Sequence, residues 1–504
     1  MALNIEYRLT DPNFTIYHRA ALGGLAATIA AWNGKPPDGI TAPPPERDRV
    51  ILQSSEDISE KEAVKRILEA SFRLTDEKLI DLPGQFIDEN SLDLKVAVHE
   101  GLCLTFLQHN KMRPGKEVKK IELRSADDEA GNFLSYKTID TYAHQKAQKT
   151  DLLEKKQPDD AIPPTAMIRQ FAVPGAVALL EAKSEEVLLL SFLAVACPTF
   201  LLRPKIYQPD IAQACIVVPD VTDLQKFTRA MRSVMGENSK MKRFSHRYLE
   251  RVVGGAEEAA LRFMIAISAD NIASERGISG CQAVVMGKVP WDVNQKNRSM
   301  TVRVSGDYPE IDIFLAANLY LSDGKFIKNK KGETFAINNS AVPELIAANL
   351  AAERHWCSQF KVLVQTKDDF KLMGFSREGL TKMKEAIKDL EDRAIIRAFH
   401  RAWAMTMGKL GERARDDGLD FGRLVEVRQE KIRNEILRAK TPDALAAWFL
   451  RFCADASGGS ALKPFQEEMD RLRKFMFNAR NFDRFQNLLL FALVSYSSEK
   501  EDNI

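Results

Sequence analysis

The strongest constraint on the fold is a change of hydrophobic rhythm near residue 370. Downstream of it, apolar residues recur at spacings of three and four through SREGLTKMKEAIKDLEDRAIIRAFHRAWAMTMGKL, FGRLVEVRQEKIRNEILRAK, TPDALAAWFLRFCADA and PFQEEMDRLRKFMFNARNFDRFQNLLLFALVSY. That period lays an apolar stripe along each helix, and helices with such stripes bury a core against one another. Pro442 and Pro464 stand where helices begin, because proline in the first turn gives up no hydrogen bond. Upstream of 370, strand-like runs are intermixed with helical ones without strict alternation. The expectation is an α+β, multidomain chain: a mixed α/β N-terminal body with a C-terminal all-α helical bundle.

A length of 504 residues suggests about three domains. The boundaries fall at 1–165, an N-terminal α/β part with an exposed charged excursion at 111–165; at 166–365, a central α+β domain; and at 370–504, the bundle. Within the first part, residues 15–32 read as an amphipathic helix loosened by Gly23 and Gly24, and 59–74 as a helix opened by a Ser-x-x-Glu start. Further helix signals follow over 84–110. In the central domain ACIVVPD reads as a strand, followed by the helix VTDLQKFTRAMRSVM with Thr222 at its N-cap and a long helix over 248–268. Two more strand-like runs, CQAVVMGKV and MTVRVSG, flank the stretch VPWDVNQKNR. The apolar run VLLLSFLAVACPTFLL at 187–202 is shorter than the roughly 20 residues a bilayer needs and is broken by Pro198. It reads as two buried strands, or a buried helix and a strand.

Charge and cysteine content narrow the function classes. Lys and Arg number 72 against 70 acids, a formal net charge of +2. A polycation is excluded, and any nucleic-acid contact must come from local basic faces. The six cysteines lie far apart with no CxxC pair, which excludes zinc ribbons and thioredoxin-like sites. No signal peptide is visible at the N-terminus, so a reduced, cytoplasmic setting is expected. Phosphate-loop, HExxH, nucleophile-elbow and dinucleotide patterns are all missing. The seven histidines are scattered, and His355 beside Trp356 reads as a packed or capping residue. No catalytic residue, metal or cofactor is expected.

What remains is a set of basic, amide-rich loops. The first holds Asn294, Gln295, Lys296, Asn297 and Arg298; the second Asn238, Lys240, Lys242 and Arg243; the third Lys325, Lys328, Lys330 and Lys331. Each alone reads first as a solvated loop. Together they suit nucleic acid: Lys and Arg neutralise phosphates, and Asn and Gln offer a donor and an acceptor side by side, as a base edge does. Lys325, Lys328, Lys330 and Lys331 are assigned to phosphate tracking and the other two loops to DNA. The bundle adds basic clusters at helical spacing: Arg393, Arg397 and Arg401, then Arg413 and Arg415, then Arg473, Lys474 and Arg480.

Three stretches, YHRAALGGLAATIAAW, FLAVACPTFLLRPKIYQPDIAQACIVVPDVTDLQKFTRAM and VPWDVNQKNRSMTVRV, resemble the large subunit of type I CRISPR surveillance complexes (Cascade), in the Myxan-type, I-B-like branch. The resemblance covers much of residues 1–360. It implies a non-catalytic subunit that contacts the 5′ handle of the guide RNA. Such a subunit reads a short flanking motif (PAM) in target double-stranded DNA and stabilises the opened strands, while base pairing supplies sequence specificity. The implied partners are Cascade backbone subunits, a small subunit, and either a helicase-nuclease or transposition adaptor proteins. No membrane is implied. The helical tail then resembles the small subunit, and Met373 and Met383 stand where an internal start would release it. Two other classes stay open: a scaffold docking partners through Trp403, Trp448 and Phe475, and a nucleic-acid-modifying enzyme with a scattered metal site.

Overall fold

A computed structural model describes residues 2–12, 14–89, 91–106, 117–123, 132–139, 184–202, 213–235, 255–267, 277–285, 302–304, 310–321, 325–328, 334–337, 340–458 and 465–497. The chain divides into two compact units, Met1–Asp307 and Tyr308–Ile504. The architecture is α+β, with small antiparallel sheets in the first unit and long helices dominating the second.

The spine of the first unit is α1 (Ile16–Ala31), expected to be amphipathic. It is instead buried at every residue from Ala20 to Ile29, because other elements cover it on all sides. These are α4 (Ser184–Leu190), α5 (Leu193–Ala196), α6 (Leu224–Met235), strand β9 (Gln213–Val221) and the 3-10 turn Pro83–Gln85. The glycine pair makes this closeness possible: a Cβ on Gly24 would run into the carbonyl oxygen of Phe192, and one on Gly23 would meet the Phe227 ring. The apolar run 187–202 becomes α4, α5 and strand β8 (Thr199–Leu202), buried from Leu188 to Pro198.

A four-stranded antiparallel sheet, ordered β11-β10-β9-β8, lies beside this spine, with β10 at Ile278–Val285 and β11 at Val302–Val304. β9 is buried at each residue from Cys215 to Pro219, so both of its faces are covered. Pro219, which has no N–H to give the ladder, lies where the β9–β10 register shifts. Helix α7 (Ala256–Ile267) packs on β9, β10 and β11. The cap of α6 is Asp223 rather than Thr222: the Lys226 N–H donates to Asp223 Oδ1 at 2.9 Å, and Thr222 is exposed. The polar stretch 111–165 is not excursion throughout. It contains the hairpin β6 (Val118–Leu123) and β7 (Asn132–Lys137), whose Tyr136 packs with Leu79 and with Val96 of α3 (Leu92–Leu104).

In the second unit α8 (Ile311–Leu321) and a hairpin of β12 (Lys325–Lys328) and β13 (Thr334–Ile337) precede α9 (Val342–Ala351), and from there the described residues are helical or irregular. α10 (Lys367–Gly374), α11 (Arg377–Met383), α12 (Leu390–Asp416), α13 (Phe421–Arg438), α14 (Pro442–Ala456), α15 (Gln466–Met476) and α16 (Phe482–Ser495) follow. α16 is the centre, buried at every residue from Phe485 to Ser495. Around it stand α12, α13, α11, α10 and the 3-10 turn Phe360–Val364.

One buried carboxylate ties the unit together. Asp392 is fully buried. Its Oδ1 accepts from Arg484 Nε and Nη2 at 2.9 and 2.7 Å, and its Oδ2 from Trp356 Nε1 and His355 Nε2, both at 2.9 Å. Four charge-assisted bonds offset the cost of removing the carboxylate from water. His355 therefore has the packed role expected of it.

Candidate nucleic-acid interface

Asn294, Gln295, Lys296, Asn297 and Arg298 lie outside the described residues, as do Asn238, Lys240, Lys242 and Arg243. Their anchor points are described, and these converge. Val285, where the first loop departs, pairs with Cys215 near the start of β9. Val302, where the loop returns, pairs with Ala283 on the same side. The second loop arrives at the N-terminus of α7. There Glu257 is close enough to Cys215 to add to the rise of its thiol, which burial chiefly pushes up to about 12. The first loop is thus rooted at one end of the four-stranded sheet, and the second leads into the helix whose N-terminus lies near that end. The segment 203–212 leaves from that end too, since Leu202 pairs with Gln213.

Lys325 and Lys328 fall on strand β12, with the backbone of Lys325 opposite Ile337 and that of Lys328 opposite Thr334. Lys330 and Lys331 belong to the connecting turn, outside the described residues. This hairpin belongs to the second compact unit, whereas the other two loops belong to the first.

The bundle arginines are described in full. Arg393, Arg397 and Arg401 are all exposed and stand at successive four-residue steps on α12, which places them about 6 Å apart along one line. α15 runs antiparallel beside them. Arg401 Nη1 is 3.5 Å from Glu468 Oε1, and Arg484, bound to Asp392, lies over the Phe475 ring at 5.2 Å. The segment 468–475 therefore follows 401–392 in reverse, and Arg471, which is exposed, lies between these two contacts on α15. Arg473 and Lys474 are exposed further along α15, and Arg480 in the 3-10 turn Ala479–Asn481.

Elsewhere in this unit basic residues are held by acids, as in Lys361–Asp483, Lys367–Glu430, Lys371–Glu426 and Lys388–Asp312. Arg393, Arg397, Arg471, Arg473 and Lys474 make no ion pair among the described residues. Arg413 and Arg415 differ. They sit in the last turn of α12, about 18 Å or more along its axis from Arg401, and Arg413 pairs with Asp417 at 3.2 Å. Both suit the negative end of the helix dipole. Arg471 and Glu468 escaped sequence reading, because only the α12–α15 pairing brings them to this face.

The aromatic faces considered for partner docking are used internally. Trp403 is fully buried and Phe475 nearly so, and Trp448 stacks on Phe452 at 5.5 Å while donating to Glu435 at 2.9 Å. Among the described residues no group of three or more His, Cys, Asp or Glu side chains is placed to hold a metal ion. No described helix is long and apolar enough to cross a membrane.

Comparison with known proteins covers both units. The DevT N-terminal domain family matches residues 6–191, and the DevT C-terminal domain family matches residues 383–504. The CRISPR-associated protein Cas8a1/Csx13 of Myxococcus xanthus (strain DK1622) is 23% identical over 539 residues, an overlap spanning 98% of this chain and 89% of the relative. The chain is a distant, near-full-length homologue of that protein.

Proposed function

We propose that this chain is the non-catalytic large subunit of a type I CRISPR RNA-guided DNA-binding complex, serving antiviral defence or RNA-guided insertion. The observation that carries the reading is the similarity along 98% of the chain to a protein named as CRISPR-associated. It runs through the α/β body and the helical tail alike. In this role the chain contacts the 5′ handle of the guide RNA, joins the Cascade backbone and small subunits, and recognises the flanking motif in target duplex. A helicase-nuclease or transposition adaptor then acts on the assembly.

The division of labour follows from residue chemistry. Asn294, Gln295, Asn297 and Arg298, with the loop holding Asn238, Lys240, Lys242 and Arg243, read or grip the flanking duplex. Amides and guanidinium match base edges, while Lys296 suits phosphate. Lys325, Lys328, Lys330 and Lys331 track phosphates, and the exposed arginines of α12 and α15 meet a displaced strand. The root of the first loop at one sheet end, with the second leading into the helix that starts near it, supports a shared role for those loops.

The test is a library of flanking sequences offered to the assembled complex. Alanine at Asn297 or Gln295 should relax preference at one flanking base by about 1–3 kcal/mol. Alanine at Lys296 should weaken all sequences alike. Identical rankings by wild type and the two amide variants would remove the loop from the reading role.

A further inference from the structure

In the first unit, the 3-10 turn Pro83–Gln85 ends on a residue in a costly conformation. Phe86 has φ 56° and ψ 29°, the left-handed region, where a Cβ crowds the backbone and glycine is the usual occupant. That conformation closes the turn, with the Phe86 N–H donating to the Pro83 carbonyl at 3.0 Å. Glycine would close it at less cost, so the turn has no need of the ring. The turn is also firmly held. Gln85 Nε2 donates to the Ala194 carbonyl at 3.2 Å, and a Cβ on Gly84 would run into Thr28 Oγ1 of α1. A bulky side chain kept in a strained position on a fixed support points to a use for that side chain.

The half-buried ring lies under a cation. Arg232 Cζ is 4.7 Å from its centroid, and Arg232 is exposed in the last turn of α6. Arg229, also exposed, stands three residues earlier on the same helix face, its Nε donating to the Gln225 carbonyl at 3.4 Å. Neither arginine makes an ion pair among the described residues. A third guanidinium, that of Arg47, is 79% exposed beside Asp223 at 3.3 Å. Its loop is pinned to the start of α6 by the Leu224 N–H, which donates to the Arg47 carbonyl at 2.8 Å. The negative end of the helix dipole accounts for a cation at position 232. It does not account for the ring beneath it.

We propose that Arg232, backed by Phe86, is a stacking platform for one unpaired base of a single-stranded polynucleotide, with Arg229 and Arg47 on its phosphates. A guanidinium is planar and stacks on a base as it does on an aromatic ring, and the phenyl ring beneath orients that plane. Phe86 is thus a positioning residue. The inference rests on the nucleic-acid reading of the chain and assigns a site that this reading leaves out.

Full-length protein is titrated at low salt against fluorescent oligoadenylates, ribo and deoxy, and against an abasic strand of the same length, with anisotropy as the readout. Arg232→Lys keeps the charge at an exposed position and should melt with wild type. It should raise Kd for oligoadenylate about fivefold, the low end of one base stack, without changing the abasic strand or the salt slope. Arg229→Ala should weaken all strands alike and lower the slope of log K against log salt by about 0.7. Phe86→Leu should share the base-dependent loss, Phe86→Tyr should not, and Phe86→Leu should add nothing in the Arg232→Lys background. Tighter binding of the ribo strand assigns the platform to RNA, and of the deoxy strand to DNA. Undiminished binding of oligoadenylate by Arg232→Lys overturns the proposal. So does an equal loss on the abasic strand, which makes Arg232 a charge only, or failure of the wild type to bind any single strand. None of these results bears on flank-dependent binding by the assembled complex, so the platform and the proposed function fail separately.

Discussion

His400 shows how firmly single residues are committed in the helical unit. It is buried on α12, its Nε2 lies 3.0 Å from the Ala492 carbonyl oxygen, and its ring meets Tyr496 edge-on at 5.5 Å. Burial, aided by Lys384, drives its pKa down to about 3. The unfolded chain takes a proton on this residue below about 6.5, and the folded chain refuses it until about 3. Stability therefore falls as pH drops through that window, by at most about 1.4 kcal/mol per unit from this group, and is unaffected above it. His400→Gln should be less sensitive across pH 4–6.5 when urea midpoints are compared, and parallel curves for the two proteins would refute the assignment. The sequence places His400 on an apolar helix. It does not name the carbonyl on α16 that holds it, because that contact spans 92 residues.

At the scale of elements, the helical period made the C-terminal helices legible, and Pro442 marks the start of α14 as expected, where the Ala444 N–H donates to Thr441 Oγ1. What surrounds α16 was not legible. Trp356 meets Phe491 edge-on at 5.1 Å, Phe360 does so at 5.6 Å, and the Lys361 N–H donates to Asn487 Oδ1 at 2.7 Å. These partners lie upstream of the rhythm change at 370, in a stretch too short to carry a period. A product starting at Met373 or Met383 would lack them and would leave Asp392 Oδ2 without Trp356 and His355. Losing one such buried aromatic costs about 3–5 kcal/mol, a large share of a domain's stability. We expect fragment 308–504 to melt cooperatively and fragment 383–504 to melt at least about 10 °C lower. Equal melting temperatures would show the bundle to be self-contained from Met383 onward. Elements of the first unit were read less evenly. The strands β9, β10 and β11 stood out as apolar runs, whereas the burial of α1 on every side depends on Gly24 seating against Phe192, which no single-helix pattern encodes.

For the whole molecule, the governing quantity is charge. With 72 basic and 70 acidic residues, the chain has little long-range attraction for polyanions, so any nucleic-acid contact must come from local faces, for which we propose the α12–α15 arginines. Sequence alone located most of those basic residues. The pairing that gathers some and sets Arg413 and Arg415 apart is tertiary. The central claim is that the chain engages target DNA as part of a guide-RNA complex rather than as a free DNA-binding protein. Gel shifts at physiological salt, with the same flanked duplex offered to the purified chain and to the chain assembled with guide RNA and backbone subunits, test it most directly. Weak, sequence-indifferent binding by the chain alone and tight, flank-dependent binding by the assembly is the predicted result. Equal affinity in the two cases would contradict it.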